Sequence, residues 1–282
     1  MLSEVTPVGY RPHDATYRLD VEVLAAGELR ARVASDPHRG FERIDFQCFV
    51  FVRSGSYSHV VDFETYDLHA GACLLIGPGQ VHRFGPTSDW DGWILIVGTH
   101  LVPDLVQELP THVRMLPKPA DAVAELFARM MSDAALSAER QRLGQLLALQ
   151  ASVLVGRLAL GAAGSETQRL IDPVLLSRYR KYRAAVDDEF RRWHLVAPYA
   201  QSLACSPKSL TRACRAAADV PATRVIVDRI VLEAKRILAR FADPVEVISG
   251  DLGFDEATNF VKFFRRETGM TPTAFRTSIR DP

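Results

Sequence analysis

The sequence predicts an α+β chain in two parts. A strand-rich N-terminal half is closed as a barrel or jelly roll and extended by helices. An all-α C-terminal domain follows, built on a repeated helix-turn-helix unit. Three observations carry this reading. Between Asp20 and Gly98, short runs of Val, Ile, Phe and Tyr alternate with turn signals such as Ser54-Gly55 and Gly77-Pro78-Gly79. From Val174 onward, apolar residues recur at three- and four-residue spacing, with prolines at helix starts. The charge is also split. From residue 173 on, 19 Lys and Arg stand against 13 Asp and Glu, a surplus of six, and residues 1–172 carry the compensating deficit in a chain of zero net charge.

A chain of 282 residues is long enough for two domains with their own cores. No apolar run reaches the roughly 18–20 residues of a membrane span, and the N-terminus lacks a basic-then-apolar leader, so the sequence predicts a cytoplasmic protein without a membrane partner. Cys48, Cys73, Cys205 and Cys214 have neither CxxC spacing nor a disulfide framework and read as small hydrophobes.

Residues 1–20, with Pro7, Gly9 and Pro12, read as a polar arm. Strands are expected at 45–53, 58–63, 66–69, 72–76 and 92–98. Pro119 opens a helix in which Val123, Leu126, Phe127, Met130 and Met131 form one stripe. A second helix over 138–160 is apolar across a broad arc, which either packs wholly on the barrel or leaves a face for a partner. The small, polar run 161–167 marks a linker, set at 163–172. Asp172-Pro173 then supplies an N-cap and an N1 proline for the next domain.

In the C-terminal domain, helices are expected at 174–193 and 196–203. After a break at Ala204-Cys205 comes a helix launched by Ser206-Pro207, then a long amphipathic connector over 227–241. Gly253 permits a tight turn with positive φ, Asp255 is the expected N-cap, and Phe260, Phe263 and Phe264 give the following helix a buried side. Gly269 ends that helix and Pro272 starts another. The two halves repeat weakly about fifty residues apart: Leu210 aligns with Phe260, Arg212 with Lys262, Cys214 with Phe264 and Arg215 with Arg265. By helical phase, Lys208, Thr211, Arg212 and Arg215 lie opposite Leu210 and Cys214. Thr258, Asn259, Lys262, Arg265 and Arg266 do the same in the second half. Polar side chains on such a face suit base edges near the helix start and phosphates further along.

Leu252-Gly253-Phe254, the run from Phe260 through Lys262 to Arg265-Arg266, Gly269-Met-Thr-Pro272 and a final Phe275-Arg276 together resemble the second helix-turn-helix of AraC/XylS-type transcription regulators. The resemblance covers about twenty-five consecutive residues. It points to base contacts from Lys208, Thr211, Arg212, Thr258 and Lys262; side-chain chemistry and helical phase add Asn259 to these and give phosphate contacts to Arg215, Arg265 and Arg266. The first motif departs from the family: Ala204 and Asp219 stand where glycine is usual, and Ala213 and Cys214 replace bulkier residues. Helices about 34 Å apart would enter successive major-groove turns.

Gly55-Ser-Tyr-Ser-His59, then Leu68-His-Ala-Gly71, then Pro78-Gly79-Gln-Val-His82 resemble the cupin-like sensor domain of the same regulators. The fold class is therefore a cupin-like β-barrel with a helical extension, followed by a double helix-turn-helix domain. The domain layout is 1–162, a linker at 163–172, and 173–282. Catalytic cupins hold a metal with a His-x-His pair, a Glu and a later His. Here His82 matches the last position, but His59 is followed by two valines, so neither a metal nor any other cofactor is expected. The resemblance implies instead a small-molecule effector inside the barrel, near His59 and His82, with Tyr10 and Arg11 of the arm as further candidates. Double-stranded DNA, a second copy of the chain and, for an activator, RNA polymerase are the implied partners. No catalytic residue is assigned. A cupin metalloenzyme with a helical appendage and a DNA-binding regulator that senses no ligand are the alternatives.

Overall fold

The computed structural model describes residues 6–8, 20–34, 40–85, 90–99, 101, 121–136, 138–163 and 171–280. The chain divides into two compact units, one over residues 5–167 and the other over 168–282. The expected linker falls mostly outside the described residues.

The first unit has β1 (Thr6–Val8), β2 (Val21–Ala25), α1 (Ala26–Ala34), β3 (Glu42–Ile44), β4 (Gln47–Val61), β5 (Glu64–His69), β6 (Cys73–Ile76), β7 (Val81–Phe84) and β8 (Trp90–Val97). Helices α2 (Asp121–Ala134) and α3 (Arg140–Ala163) follow. The sheet order is β1-β3-β7-β4-β8-β2, with β5 and β6 also paired to β4. Its centre is β4, a single strand of 15 residues where two strands separated by a Ser54-Gly55 turn were expected. The chain does not turn back there. It bends: the register with β8 shifts between Val52 and Ser54, and Gly55 takes φ 78°. The bend lets the first half of β4 pair with β6 and β8 and the second half with β5 and β7. The sheet thus curls into a half-barrel.

Period-two alternation splits the core. Phe49, Phe51, Leu95 and Val97 face α2 and α3, where Phe127, Met130, Leu147 and Leu154 meet them. Phe51, Trp93 and Phe127 stack there with centroids 5.5–6.0 Å apart. Val50, Val52, Leu74, Ile76 and Ile94 fill the inner side. Each such buried side chain contributes about 1.5–3 kcal/mol of transfer free energy. Two further features differ from expectation. The arm contains strand β1, which pairs parallel to β3. The stretch after β2 forms helix α1, where Arg32 bridges Glu28 one turn away and Glu22 on the strand, both at 2.8 Å.

The second unit is all helical: α4 (Pro173–Glu189), α5 (Val196–Ser202), α6 (Pro207–Ala218), α7 (Ala222–Arg240), α8 (Val245–Asp251), α9 (Ala257–Thr268) and α10 (Pro272–Arg280). Asp172 caps α4 through its carboxylate, which accepts from the Val174 amide at 2.8 Å, and Pro173 sits in the first turn as expected. The long α7 is the spine. It buries Ile226, Ile230, Ala234 and Leu238, and even Glu233, which is paired with Arg191 and Arg229 at 3.2 and 3.0 Å. Among the described residues no helix is long and apolar enough to cross a membrane.

Candidate nucleic-acid interface and sensor interior

Each half of the second unit is a short helix, a tight turn and a longer helix. In the first, α5 leads through residues 203–206 into α6. Ser206 caps α6, its Oγ accepting from the Ser209 amide at 3.1 Å, and Pro207 opens the first turn. Leu210, Ala213 and Cys214 are fully buried, whereas Lys208, Arg212 and Arg215 are exposed and Thr211 is half-buried. In the second half, α8 leads through residues 252–256 into α9. Phe260 and Phe264 are fully buried, and Thr258, Asn259, Lys262, Arg265 and Arg266 are exposed. The turn is one residue longer, which moves the cap from the expected Asp255 to Glu256, and no side chain caps the helix there. Gly269 ends α9 with φ 78°, its amide bonded to the Arg265 carbonyl at 2.9 Å.

Two of the expected phosphate-binding arginines are held by their own helix ends. Arg215 Nη1 donates to the Asp219 carbonyl at 3.1 Å. Arg266 Nε donates to Glu267 at 2.7 Å and lies over the Phe263 ring. Glu267 in turn accepts from Arg224 of α7 at 2.9 Å. This network spans two helices, and nothing in the local spacing of residues announces it.

In the sensor unit the structure brings His59 and His82 together. Their rings stack at 5.2 Å, and His59 Nε2 lies 3.0 Å from His82 Nδ1. They meet because β4 pairs with β7 so that His59 opposes Phe84 and His82 opposes Val61. Tyr57, two residues before His59 and on the same face, lies with its hydroxyl 2.8 Å from His59 Nδ1. On the far side, Glu42 of β3 pairs with His82 in the ladder and approaches its Nε2 at 3.7 Å. Burial, and then the neighbouring His82, hold His59 well below the usual histidine range, so it is neutral near pH 7. With the Tyr57 hydroxyl donating to Nδ1 and Nε2–H donating to His82 Nδ1, both nitrogens of a neutral His59 are satisfied. The Tyr57 and Glu42 contributions were missed in the sequence. Period two could have found Tyr57, but Glu42 arrives by long-range pairing.

Both histidines are buried, His59 completely. A cavity of about 510 Å³ opens elsewhere on the unit, lined by Pro7, Val8, Arg43, Ile44, Asp45, Pro78, Gly79 and Thr99. Tyr10 and Arg11 lie outside the described residues. No group of three or more His, Cys, Asp or Glu is arranged to hold a metal among the described residues. Burial pushes the Cys48 and Cys73 thiols up to about 12 and Cys214 up to about 11, so none offers a thiolate near neutral pH.

Known proteins match both units. Residues 27–152 match the AraC-like ligand binding domain, and residues 199–278 match a helix-turn-helix domain. The chain is 24% identical to the arabinose operon regulatory protein of Salmonella typhimurium, over 76% of this chain and 77% of that protein. It is 23% identical to the HTH-type transcriptional activator RhaS of Escherichia fergusonii, over 82% of this chain and 85% of that one. Among solved structures, ToxT from Vibrio cholerae O395 aligns with 85% of this chain and 92% of its own, at 10% identity and a TM-score of 0.46. With an AraC-like ligand-binding domain ahead of a double helix-turn-helix, the chain belongs to the AraC family of transcriptional regulators and is a DNA-binding regulator rather than an enzyme.

Proposed function

We propose that this regulator grips one face of a DNA duplex with α6 and α9 in successive major-groove turns. The observation that carries the reading is the pair of exposed polar faces, each backed by a buried apolar stripe. Lys208, Thr211, Arg212, Thr258, Asn259 and Lys262 take the base edges, and Arg215, Arg265 and Arg266 take phosphates. The sensor spans residues 1–162, the linker 163–172 and the DNA-binding domain 173–282.

A small-molecule effector enters the curled sheet beside His59 and His82, with Tyr10 and Arg11 closing over it, and shifts the population of DNA-competent states. The protein works as a homodimer. Leu146, Leu149 and Val153 form an exposed apolar stripe on α3, the kind of face a second copy covers. The protein acts in the cytoplasm. The activator named among its relatives supports contact with RNA polymerase as its output.

The test is binding of the full chain, at two salt concentrations, to duplexes it selects from a random-sequence pool and to unrelated DNA. Selective binding that survives the higher salt supports the reading, whereas equal binding that collapses with salt removes it.

A further inference from the structure

The turn that joins α4 to α5 touches the second helix-turn-helix as well as the first. The Arg191 carbonyl oxygen lies so close to Gly253 that a Cβ there would stand 1.8 Å from it. His194 Nε2 bonds the Leu252 carbonyl at 2.9 Å, in the turn that launches α9. Its ring packs on Phe254 at 4.8 Å, and Phe254 in turn packs on Phe260 and Phe263 of α9 at 5.4 and 5.3 Å. On the first-motif side, Trp193 meets Tyr199 of α5 edge-to-face at 5.1 Å, and its carbonyl accepts from the Tyr199 hydroxyl at 2.9 Å. Arg191 also pairs with Glu233 of α7 at 3.2 Å.

These contacts matter for geometry. The spine α7 joins the two motifs covalently and packs on helices of both, which sets the distance between them, but contacts along one axis resist rotation about it less than contacts further out. A second strut, away from that axis, fixes the rotation. Two helices that enter successive grooves must match the duplex in both respects, because one base pair of spacing turns the second site by about 35°.

We infer that His194 is a positioning residue. Through the Leu252 carbonyl and Phe254 it locks the orientation of α9 relative to α6, and so sets which spacing between two DNA half-sites the protein accepts. This rests on the two-helix reading proposed above. His194 itself need not touch DNA.

The experiment measures binding of the full chain to a duplex recovered from a random pool, and to the same duplex with the spacer lengthened or shortened by one base pair. The wild-type chain should prefer the recovered spacer by about ten-fold or more. His194→Ala should lose most of that preference by weakening on the recovered spacer, while affinity for the altered spacers stays within about two-fold. His194→Gln, which can place an N–H near the same carbonyl, should keep the wild-type ratio. His194→Phe keeps the ring packing but not the hydrogen bond, so it decides the matter if the alanine variant fails to fold. It should show the same loss of preference. A wild-type ratio in His194→Ala and His194→Phe, or an equal loss on every spacer, overturns the latch. A wild-type chain that binds selectively but ignores spacing would overturn the two-helix reading and the latch with it.

Discussion

The two helix-turn-helix halves do the same job with different materials. Both turns place one residue in the left-handed region: Ala204 at φ 49° in the first, Gly253 at φ 82° in the second. Both reading helices end in that region too, at Asp219 and at Gly269. The first core is small. Ala213 and Cys214 are fully buried because α4 packs directly over α6, with Tyr182 filling the space and its hydroxyl bonded to the Ala222 carbonyl at 2.8 Å. The second packs against α7 and the short α8 and α10, and fills its core with aromatic rings. Phe260 packs on Phe264 at 5.8 Å, and Phe264 on Phe275 of α10 at 5.7 Å. The departures of the first motif from its family are thus compensated by a neighbour, and glycine is demanded only where a backbone passes close by.

The largest effects should come from emptying the second core. Phe264→Ala should cost about 3–5 kcal/mol, against about 1 kcal/mol for Cys214→Ala in the first, read from calorimetric unfolding of the C-terminal unit. Comparable losses would show that the two cores are not built differently. Gly253→Ala should cost about 3 kcal/mol or more, because it joins left-handed strain to a clash with the Arg191 carbonyl. Next come the reading faces. Arg212→Ala and Lys262→Ala should each weaken specific DNA binding by about 1–3 kcal/mol without changing the unfolding temperature. An effect at Lys262 alone would make the second half the sole reader.

The sensor transition can be told from the C-terminal one by pH. His59 is held below the ordinary value of 6.5 when folded, so between its folded pKa and 6.5 the unfolded chain binds the extra proton. Stability is full above pH 6.5 and falls as pH drops, by up to about 1.4 kcal/mol per pH unit for one proton. Scans from pH 7 to 5 should therefore lower the sensor transition, and His59→Gln should flatten that slope. An unchanged slope would remove His59 as its source.

The contrast between the halves also marks what the sequence could say. Ser206-Pro207, Asp172-Pro173, Gly269 and the Phe260/Phe264 spacing act within one or two turns of helix, so their signals are local and legible. The continuity of β4 through Ser54-Gly55 was not legible, because a bend and a turn use the same residues and only pairing partners far along the chain choose between them. Strand β1, the Glu42 approach to His82 and the Arg224–Glu267–Arg266 network share that dependence on distant segments. Helix α1 was hidden for another reason: its nine residues lie within a strand-rich stretch whose overall pattern outweighed them. The cap at Glu256 rather than Asp255 turns on a one-residue difference in loop length that local preference does not resolve.

The smallest expected effect is the most discriminating. If the first turn needs no glycine because nothing crowds it, Ala204 bears only the intrinsic strain of a left-handed alanine, about 1–2 kcal/mol. Ala204→Gly relieves that strain but gives the unfolded chain more freedom, worth about 0.4–1 kcal/mol in the opposite direction. The balance lies between no change and a gain of about 1.6 kcal/mol, seen as a rise of at most several degrees in the C-terminal transition. A clear loss on Ala204→Gly would mean that the methyl group itself is packed and contributes to the turn. The first half would then be as tightly specified as the second, with alanine rather than glycine as the residue its geometry requires.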